Sequence, residues 1–371
     1  MTPFKLIISC GGTGGHFYPG LSIARDLVTE GREVRLFLGG HHAEKQTKIA
    51  EDCEISADPA YAVRMPRGII QLIFFPFLMA LAVIKSFFYL GRHKPDAILC
   101  MGSFAGVPIG IAAKIRGVPI FLHEGNTFVG KANRLLSRWA KVLYLSFPVK
   151  NESAVQCETE ITGMPLRPEL LQKAEETDKN WKAHFGLNDD PVILVFGGSQ
   201  GALKINNAFK ESVTNLPKPF QIIQLTGLTA PEEYEAFYQE NKITAVVKRS
   251  YEDIGEIFHA ADLAVCRAGA SSLAEMAVYK TPAIFIPLAI AADGHQQTNA
   301  ELASEIDGGL IITEAELSEK KLTEEISGLL NNLKKREEMA ANISKLAKPQ
   351  AAHAVINGIM EKTGKKNVAG S

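Results

Sequence analysis

The segment 261–287, ADLAVCRAGASSLAEMAVYKTPAIFIP, combines a candidate anion site with a carboxylate that can bind hydroxyl groups. Asp262–Cys266 predicts a buried strand, Gly269 predicts a turn, and Ser272 is expected to open a helix. Backbone N–H groups at such a junction bind anions. Glu275 lies one turn into the predicted helix, where a ribose diol would offer it two donors. Ser272 and Glu275 equally match a capping box, in which the carboxylate only satisfies a backbone N–H.

The stretch GGSQGA (197–202) is a second candidate anion site, because it follows the apolar run VILVF and precedes a predicted helix. Its backbone N–H groups and the Ser199 hydroxyl suit a diphosphate. The alternative is a tight turn that needs glycine only for its backbone conformation. Two glycine pairs with Ser199 and Gln200 in six residues favour the ligand site.

The stretch TGGH (13–16) follows the predicted strand Phe4–Cys10 and supplies a candidate general base. A helix amino end at His16 favours the neutral imidazole, which can accept a proton. The alternative is a histidine that only caps the turn. The glycine spacing is not G-x-G-x-x-G, and Gly39 and Gly40 stand where a dinucleotide-binding strand would end in an acidic residue. A nicotinamide-dependent dehydrogenase is therefore disfavoured.

Strands and helices that alternate along the chain must position these residues. Strand–turn–helix units repeat before and after a polar segment, which predicts an α/β protein with two doubly wound, Rossmann-like parallel sheets facing across a cleft. Turns at a carboxyl edge are expected at 13–16, 102–106 and 123–126. The predicted boundaries are 1–171 for an N-terminal domain, 172–190 for a linker, 191–350 for a C-terminal domain and 351–371 for a final helix and tail.

Composition limits the classes of function. The 371 residues have a formal net charge of -1 and are 46% hydrophobic, which argues against a nucleic-acid-binding protein. The five cysteines are scattered, and no metal-ligand spacing appears, so a reducing compartment without a bound metal is expected. Without a cation, N–H groups, hydroxyls and Arg167 must meet the charge of a leaving diphosphate. The N-terminus has no signal-peptide pattern, so the cytoplasm is the expected location.

The run 69–90, IIQLIFFPFLMALAVIKSFFYL, is the most apolar part of the sequence. Three interpretations compete: a membrane-spanning helix, a buried helix pair, and a helix that lies in the membrane interface. Basic residues flank the run at Arg64, Arg67, Lys85, Arg92, His93 and Lys94. This charge pattern favours an interfacial surface facing anionic lipid.

The motifs GGTGGHFYPGL, MGSFAGVP, HEGN, TGMPLRPE, GGSQGA, CRAGASSLAE and DGHQQTNA, in this order, resemble the MurG family of N-acetylglucosaminyltransferases in peptidoglycan synthesis. The resemblance implies a glycosyltransferase-B fold and inverting transfer from UDP-N-acetylglucosamine to lipid I, an undecaprenyl-diphosphate muramoyl pentapeptide, giving lipid II. It implies no cofactor and no essential metal. It also implies a peripheral enzyme at the cytoplasmic face of the inner membrane, which contacts anionic lipid through the run 69–90.

The resemblance also assigns residues by position, with His16 as the catalytic residue. Donor contacts are implied at Thr13, Gly14, Gly15, Asn126, Arg167, Ser199, Gln200, Gly201, Tyr251, Glu275, Gln296 and Gln297. The resemblance also places His16 in the acceptor loop and Asn126 in the acceptor crevice. Acceptor-side residues are implied at Gly102, Ser103, His123 and Glu124. Gly125 and Met164 depart from the family, which commonly has Gln and Asn there, and Ser103 stands where it commonly has a second glycine.

Two other functions are compatible with such a fold. One is another UDP-sugar-dependent glycolipid glycosyltransferase, for example with diacylglycerol as acceptor, and the other is a non-catalytic membrane scaffold. The motifs TGGH and HEGN argue against the first, and the presence of His16 and Glu275 argues against the second.

Overall fold

The computed structural model describes residues 4–40, 42–61, 63, 68–197, 203–289 and 294–365, and within 69–71 it describes the backbone only. The strands are β1 Lys5–Gly11, β2 Glu33–Gly39, β3 Ser56–Pro59, β4 Ala97–Cys100, β5 Ile120–Glu124, β6 Val142–Leu145, β7 Glu158–Ile161, β8 Val192–Phe196, β9 Gln221–Leu225, β10 Ala245–Lys248, β11 Leu263–Cys266, β12 Ala283–Phe285 and β13 Gly309–Ile311. The α-helices are α1 Gly14–Thr29, α2 Ala43–Asp52, α3 Ile69–His93, α4 Val107–Arg116, α5 Lys131–Leu136, α6 Pro168–Ala174, α7 Trp181–His184, α8 Leu203–Ser212, α9 Pro231–Glu240, α10 Ile254–Ala260, α11 Ala270–Tyr279, α12 His295–Glu305, α13 Glu319–Leu330, α14 Leu333–Ile343 and α15 Ala351–Lys362.

The chain forms two compact units, one of residues up to Arg167 with those from Lys348 onward, and one of Pro168–Ala347. The first unit contains a parallel sheet of strand order β3-β2-β1-β4-β5-β6-β7, and the second a parallel sheet of order β10-β9-β8-β11-β12-β13. The prediction of two doubly wound parallel sheets is confirmed. Helix α7 and the end of α6 lie within the range 172–190 that was predicted as a linker.

Alternation along the strands explains why each sheet is covered on two faces. In β1, Ile8 packs with α1, α2 and α15, whereas its neighbour Ile7 packs with α3, α4 and α5. Both side chains are almost completely buried. In β8, Val195 packs with α8, α9 and α13, and Phe196 on the other face contacts Phe258 of α10 at 5.9 Å between ring centres. Strands buried on both faces read as continuous apolar runs.

Two edge strands and one helix start differ from the sequence-based expectation. The short strands β3 and β7 were not predicted, because partly exposed edge strands such as ETEI at 158–161 carry no apolar run. The helix expected to open at Ser272 instead begins at Ala270, with Gly269 in extended conformation as its N-cap residue. Glycine is a favourable N-cap residue, so the helix gains two residues at its start.

Helix α3 covers the apolar run as a single helix rather than a helix pair. Its segment Leu72–His93 is long and apolar enough to cross a membrane by length and composition, with a mean hydropathy of 2.0 and only 17% of the window buried. One face packs in the unit through Ala82, Ser86 and Leu90, which are buried. We call the exposed apolar residues of the helix the apolar stripe: Leu72, Ile73, Phe74, Phe77, Leu78, Leu81, Ile84 and Phe88.

Candidate active site

In both sheets the strand order reverses next to the central strands, at β1 and β4 in the first unit and at β8 and β11 in the second. Ligands of open α/β sheets bind at the carboxyl ends of strands at such a switch point. Most of the residues selected from the sequence follow these strands or their neighbours.

Glycines bring the ends of β1 and β2 into direct backbone contact. Gly12 and Gly40 have φ of 87° and 102°, a region that favours glycine. A Cβ on Gly40 would lie 2.6 Å from Cα of Gly12, so no side chain fits there. Gly40, one of the two glycines found where a dinucleotide-binding strand would end in an acidic residue, therefore lets the loop before α1 pack on the end of β2.

His16 occupies the first turn of α1, as predicted, and lies beside the end of β4. The helix begins at Gly14, so Gly14 and Gly15 present their backbone at its amino end. The hydroxyl of Thr13 lies 3.1 Å from Nδ1 of His16. A Cβ on Gly102, where φ is 89°, would lie 3.6 Å from Cδ2 of His16. The structure therefore brings Thr13, His16 and Gly102 together.

Glu124 organises the loop after β5 and is 3% exposed. Its Oε1 accepts hydrogen bonds from the backbone N–H of Asn126 at 3.1 Å and from the Asn126 side-chain amide at 3.2 Å. Its Oε2 accepts bonds from the Gly130 N–H at 3.0 Å and from Nδ2 of Asn133 at 3.0 Å. One carboxylate thus satisfies four donors and fixes the orientation of Asn126.

His123 lies below this loop, with its side chain in the core rather than at the surface. Its Nε2 is 3.3 Å from the Ser146 hydroxyl and 3.5 Å from the Gly163 carbonyl oxygen. The pKa of His123 is lowered to about 4, chiefly by burial; the Gly163 carbonyl opposes this effect and the charge of His16 adds to it. The imidazole of His123 is therefore neutral near pH 7 and supports the loop from beneath.

Ser103 and Arg167 complete the residues selected in the first unit. The Ser103 hydroxyl accepts a hydrogen bond from the Ala105 N–H at 3.3 Å and caps the short 3₁₀ turn before α4. The Arg167 guanidinium lies 5.4 Å from the centre of the Tyr18 ring on α1. The Ser22 hydroxyl donates to the Leu166 carbonyl at 2.6 Å, which holds this segment against the helix that carries His16.

In the second unit, Ser199, Gln200 and Gly201 lie outside the described residues, but the helix that follows them is firmly anchored. Asn206 of α8 is buried and donates to the Thr226 carbonyl at 3.2 Å. Gln224 of β9 donates to Oδ1 of Asn206 at 3.2 Å and accepts from the Tyr238 hydroxyl at 2.6 Å. This buried network joins α8 to the neighbouring strand and its loop, and sequence reasoning missed it.

Glu275 is a half-buried residue in the middle of α11, six positions after its N-cap residue Gly269. A capping box requires the acidic residue three positions after the N-cap, a place that Ser272 occupies. The capping-box alternative for Glu275 is therefore wrong. Glu275 is part of the helix that follows β11, at the switch point of the second sheet.

Arg267 directly follows β11 and connects it to the end of β12 and to Glu314, which also pairs with α8. This residue was not identified from the sequence. It donates to the Ile286 carbonyl at 2.9 Å and to Glu314 at 2.6 Å, and Lys204 of α8 pairs with the same carboxylate at 3.1 Å. Burial raises the pKa of Glu314, but the bonds from Arg267 and Lys204 outweigh burial and lower it below its ordinary value. A charged residue next to a buried strand was the available signal for Arg267.

The polar cluster on α12 lies against the same strand ends. Gln296 accepts a hydrogen bond from the Leu288 N–H at 2.9 Å, and Gln297 donates to Glu301 at 3.0 Å. The buried Asn299 donates to the Ala268 carbonyl at 3.0 Å, in the loop between β11 and α11. The start of α12 is thereby fixed to that loop.

Tyr251 lies on the segment between β10 and α10. Its hydroxyl donates to Glu256 at 2.7 Å, and this bond raises the pKa of the phenol to about 12. The Phe185 ring lies 5.6 Å away and the Lys248 ammonium 4.9 Å from the Tyr251 ring centre. The ring therefore has a fixed orientation. Among the residues that the structure describes, no group of three His, Cys, Asp or Glu side chains could hold a metal ion.

Two doubly wound parallel sheets, one in each unit, are the architecture of the glycosyltransferase-B fold. The N-terminal domain of glycosyltransferase family 28 matches residues 6–145, and the C-terminal domain of that family matches residues 192–355. The chain belongs to glycosyltransferase family 28 and, within it, to the MurG family.

Individual relatives cover nearly the whole chain. The sequence is 32% identical to the UDP-N-acetylglucosamine–N-acetylmuramyl-(pentapeptide) pyrophosphoryl-undecaprenol N-acetylglucosamine transferase of Desulforamulus reducens, over 95% of this chain and 97% of that protein. It is 32% identical to the transferase of the same name from Methylococcus capsulatus, over 97% of this chain and 99% of that protein. The crystal structure of Acinetobacter baumannii MurG superposes with a TM-score of 0.79 at 27% identity, covering 97% of this chain and 100% of the other.

Proposed function

We propose that this enzyme transfers N-acetylglucosamine, with inversion, from UDP-N-acetylglucosamine to the 4-hydroxyl of the muramoyl residue of lipid I, giving lipid II. The observation that carries the proposal is the similarity, over 95% or more of the chain and both domains, to transferases of that name. The arrangement of residues at the two switch points supports the proposal and suggests a separate role for each unit.

The first unit is proposed to activate the acceptor. The 4-hydroxyl oxygen forms a bond to the anomeric carbon as the bond from that carbon to the diphosphate oxygen breaks, and UDP leaves with the electron pair. His16 takes the proton of the attacking hydroxyl at Nε2. The Thr13 hydroxyl beside Nδ1 orients the ring, and Glu124 fixes the loop that carries Asn126.

The second unit is proposed to hold the donor. Glu275 accepts hydrogen bonds from the ribose diol, and Tyr251 marks the segment that holds the uracil. Gln296 and Gln297 contact the donor sugar, while Ser199, Gln200 and Gly201 bind the diphosphate with Arg167 supplied from the first unit. Buried hydrogen bonds of Asn206 on α8 and Asn299 on α12, and the partly buried bond of Arg267 in the loop before α11, support these roles because they anchor the segments involved. The cleft that joins the two halves of this site is part of the proposal.

Helix α3 is proposed to place the enzyme on the cytoplasmic face of the membrane without spanning it. Leu90 belongs to the core of the first unit, and Val83 and Phe87 pack against that core. A spanning helix would have to leave this packing, whereas an interfacial helix keeps it and buries the apolar stripe in lipid. Exposed Lys114 and Arg116 at the end of α4, which packs on α3, add positive charge that attracts anionic lipid.

A transfer assay separates this function from the related glycolipid synthesis. Radiolabelled UDP-N-acetylglucosamine and UDP-glucose are each offered with a lipid I analogue and with diacylglycerol. We expect transfer only from UDP-N-acetylglucosamine to the lipid I analogue. Transfer to diacylglycerol would support the other glycosyltransferase, and no transfer with any pair would support a scaffold.

A further inference from the structure

Glu314 lies after β13 and connects four neighbouring segments at the carboxyl edge of the second sheet. Its Oε1 accepts a hydrogen bond from the Arg267 guanidinium at 2.6 Å, and its Oε2 lies 3.1 Å from the Lys204 ammonium. Arg267 follows β11 and also donates to the Ile286 carbonyl, just after β12, at 2.9 Å. Lys204 belongs to α8, the helix that follows β8, and the strands β8, β11, β12 and β13 are neighbours in this order. We call Lys204, Arg267 and Glu314 the edge triad.

The edge triad is charged, and most of it is removed from water. The side chains of Arg267 and Glu314 are 11% and 9% exposed, whereas that of Lys204 is 66% exposed. Glu314 is ionised at neutral pH, because burial raises its pKa less than its two cationic partners lower it. One carboxylate is therefore shared by two cations that come from different segments.

Folding stability is a weak reason for a nearly buried ion pair at this edge. Removing two charges from water costs about as much as their attraction contributes, and apolar side chains of similar volume are often at least as stabilising. An ion pair provides a defined geometry instead, because a guanidinium and a carboxylate meet in few orientations. The edge triad is thus suited to fixing the positions of the segments that it joins.

The segment that the edge triad holds through Lys204 is the start of α8. Lys204 is the second residue of this helix and stands three positions after Gly201, the last glycine of GGSQGA. Backbone N–H groups and the positive end of the helix dipole favour an anion at such a helix start. A shift of α8 relative to β11 would change the geometry of these donors, and hydrogen bonds weaken steeply when their geometry is poor.

We propose that Glu314 is a positioning residue for a nucleoside diphosphate and that, through Lys204 and Arg267, it holds the start of α8 in place relative to the end of β11. This rests on the proposed function, in which GGSQGA (197–202) binds the donor diphosphate. The negative charge of Glu314 by itself disfavours a diphosphate nearby. Its contribution to binding is therefore geometric, and the two cations of the edge triad offset the repulsion.

The test uses E314Q, because position and charge predict opposite effects of this substitution. If Glu314 positions α8, E314Q binds UDP about 3- to 10-fold more weakly, the contribution of about one hydrogen bond. If only charge matters, the loss of a negative charge strengthens UDP binding. Binding to the full-length protein is measured by calorimetry for UDP and by ligand-observed NMR for uridine. Uridine lacks the diphosphate and should bind to E314Q as it does to wild type.

A second variant, K204M, breaks the same link on the side of α8 and keeps the pair of Glu314 with Arg267, so it carries the test if E314Q does not fold. We expect the same loss for UDP and none for uridine. The loss should persist at high salt, which screens a purely coulombic effect. The matched controls are K210M, further along α8, and E325Q on α13, each of which removes one charge of another ion pair in the second unit. Both should bind UDP as wild type does.

Unchanged or tighter binding of UDP by E314Q would overturn the proposal, and so would a loss in K204M that disappears at high salt. Equal weakening of UDP and uridine binding would mean general damage to the second unit and would overturn it as well. The transfer assay tests the proposed function separately. If wild type binds UDP but transfers nothing to lipid I, the proposed function fails, and the two variants still decide the role of Glu314. If wild type does not bind UDP, both proposals fail.

Discussion

The Thr13 hydroxyl and Nδ1 of His16 lie 3.1 Å apart in the first turn of α1. If Nδ1 carries the ring hydrogen and donates it to Oγ1 of Thr13, the lone pair of Nε2 is the one that can accept a proton. The pair thus has the geometry of a base and the residue that orients it. Gly102 lies beside the ring and, with a φ of 89°, leaves room for it.

The Thr13 contact predicts a graded loss of turnover. In Thr13→Val, kcat should fall about 3- to 10-fold, because one neutral hydrogen bond contributes about 0.5–1.5 kcal/mol. Thr13→Ser retains the hydroxyl and should stay near wild type. The measurement is kcat at saturating donor and acceptor. A valine variant as active as the serine variant would show that Thr13 does not orient the base.

Because Glu124 holds four donors of its loop, we expect its substitution to reduce both the stability of the protein and its affinity for the acceptor. In Glu124→Gln the new amide nitrogen faces N–H donors, so at least one buried donor loses its partner at a cost of about 1–3 kcal/mol. We expect a lower melting temperature and a higher acceptor KM, because Asn126 is no longer held. Glu160→Gln, at an exposed position of β7, is the control. An unchanged acceptor KM in a destabilised Glu124→Gln would limit Glu124 to folding.

His123 predicts how the stability of the first unit depends on pH. Its folded pKa of about 4 lies below the unfolded value of about 6.5, so the unfolded chain binds more protons between these values. The stability that the neutral imidazole provides is complete above about pH 6.5 and is lost as the pH falls toward 4. His123→Gln should remove about 1–3 kcal/mol of the wild-type pH dependence in this window.

The measurement is urea unfolding at pH 7.5 and at pH 5, followed by the fluorescence of Trp139 in the first unit. The reference protein and the His123→Gln variant both carry Trp181→Phe. This substitution removes the other of the two tryptophans, which lies in the second unit, so that the signal reports on the first unit alone. Parallel pH profiles for the two proteins would mean that His123 is not the titrating group.

Glu275 predicts a defect in donor binding. Because α11 begins at Ala270, a capping box does not account for this carboxylate. Glu275→Ala should raise the donor KM by about 10-fold or more, as expected for a charge-assisted bond of about 1.5–3 kcal/mol. Glu240→Ala, at the exposed end of α9, is the control. A fall in melting temperature with an unchanged donor KM would contradict the ribose assignment.

The regular alternation of apolar runs and glycine turns was enough to predict the two sheets and their switch points. Strand β8, for example, covers the whole apolar run VILVF that precedes GGSQGA. The edge strands β3 and β7 could not be found in the same way, because half-exposed strands need no apolar run. The start of α11 was missed because Gly269 can cap a helix as well as break a strand.

The residues that hold the site in place were harder to predict than those selected for chemistry. Asn133 donates to Glu124 and to the His123 carbonyl, contacts that exist only once α5 packs on the end of β5. Arg267 meets Glu314 across 47 positions of sequence. Such bonds depend on tertiary packing, so the local spacing of residues in the sequence does not predict them.

The role of His16 as the base is tested by the pH dependence of kcat for wild type and His16→Gln, measured with saturating substrates. We expect His16→Gln to lower kcat by about 10²–10⁴ with little change in donor KM, and to abolish the acidic limb of the profile. His353→Gln, at a half-exposed histidine of α15, should keep the wild-type profile. An acidic limb that persists in an active His16→Gln enzyme would contradict the assignment of His16 as the base.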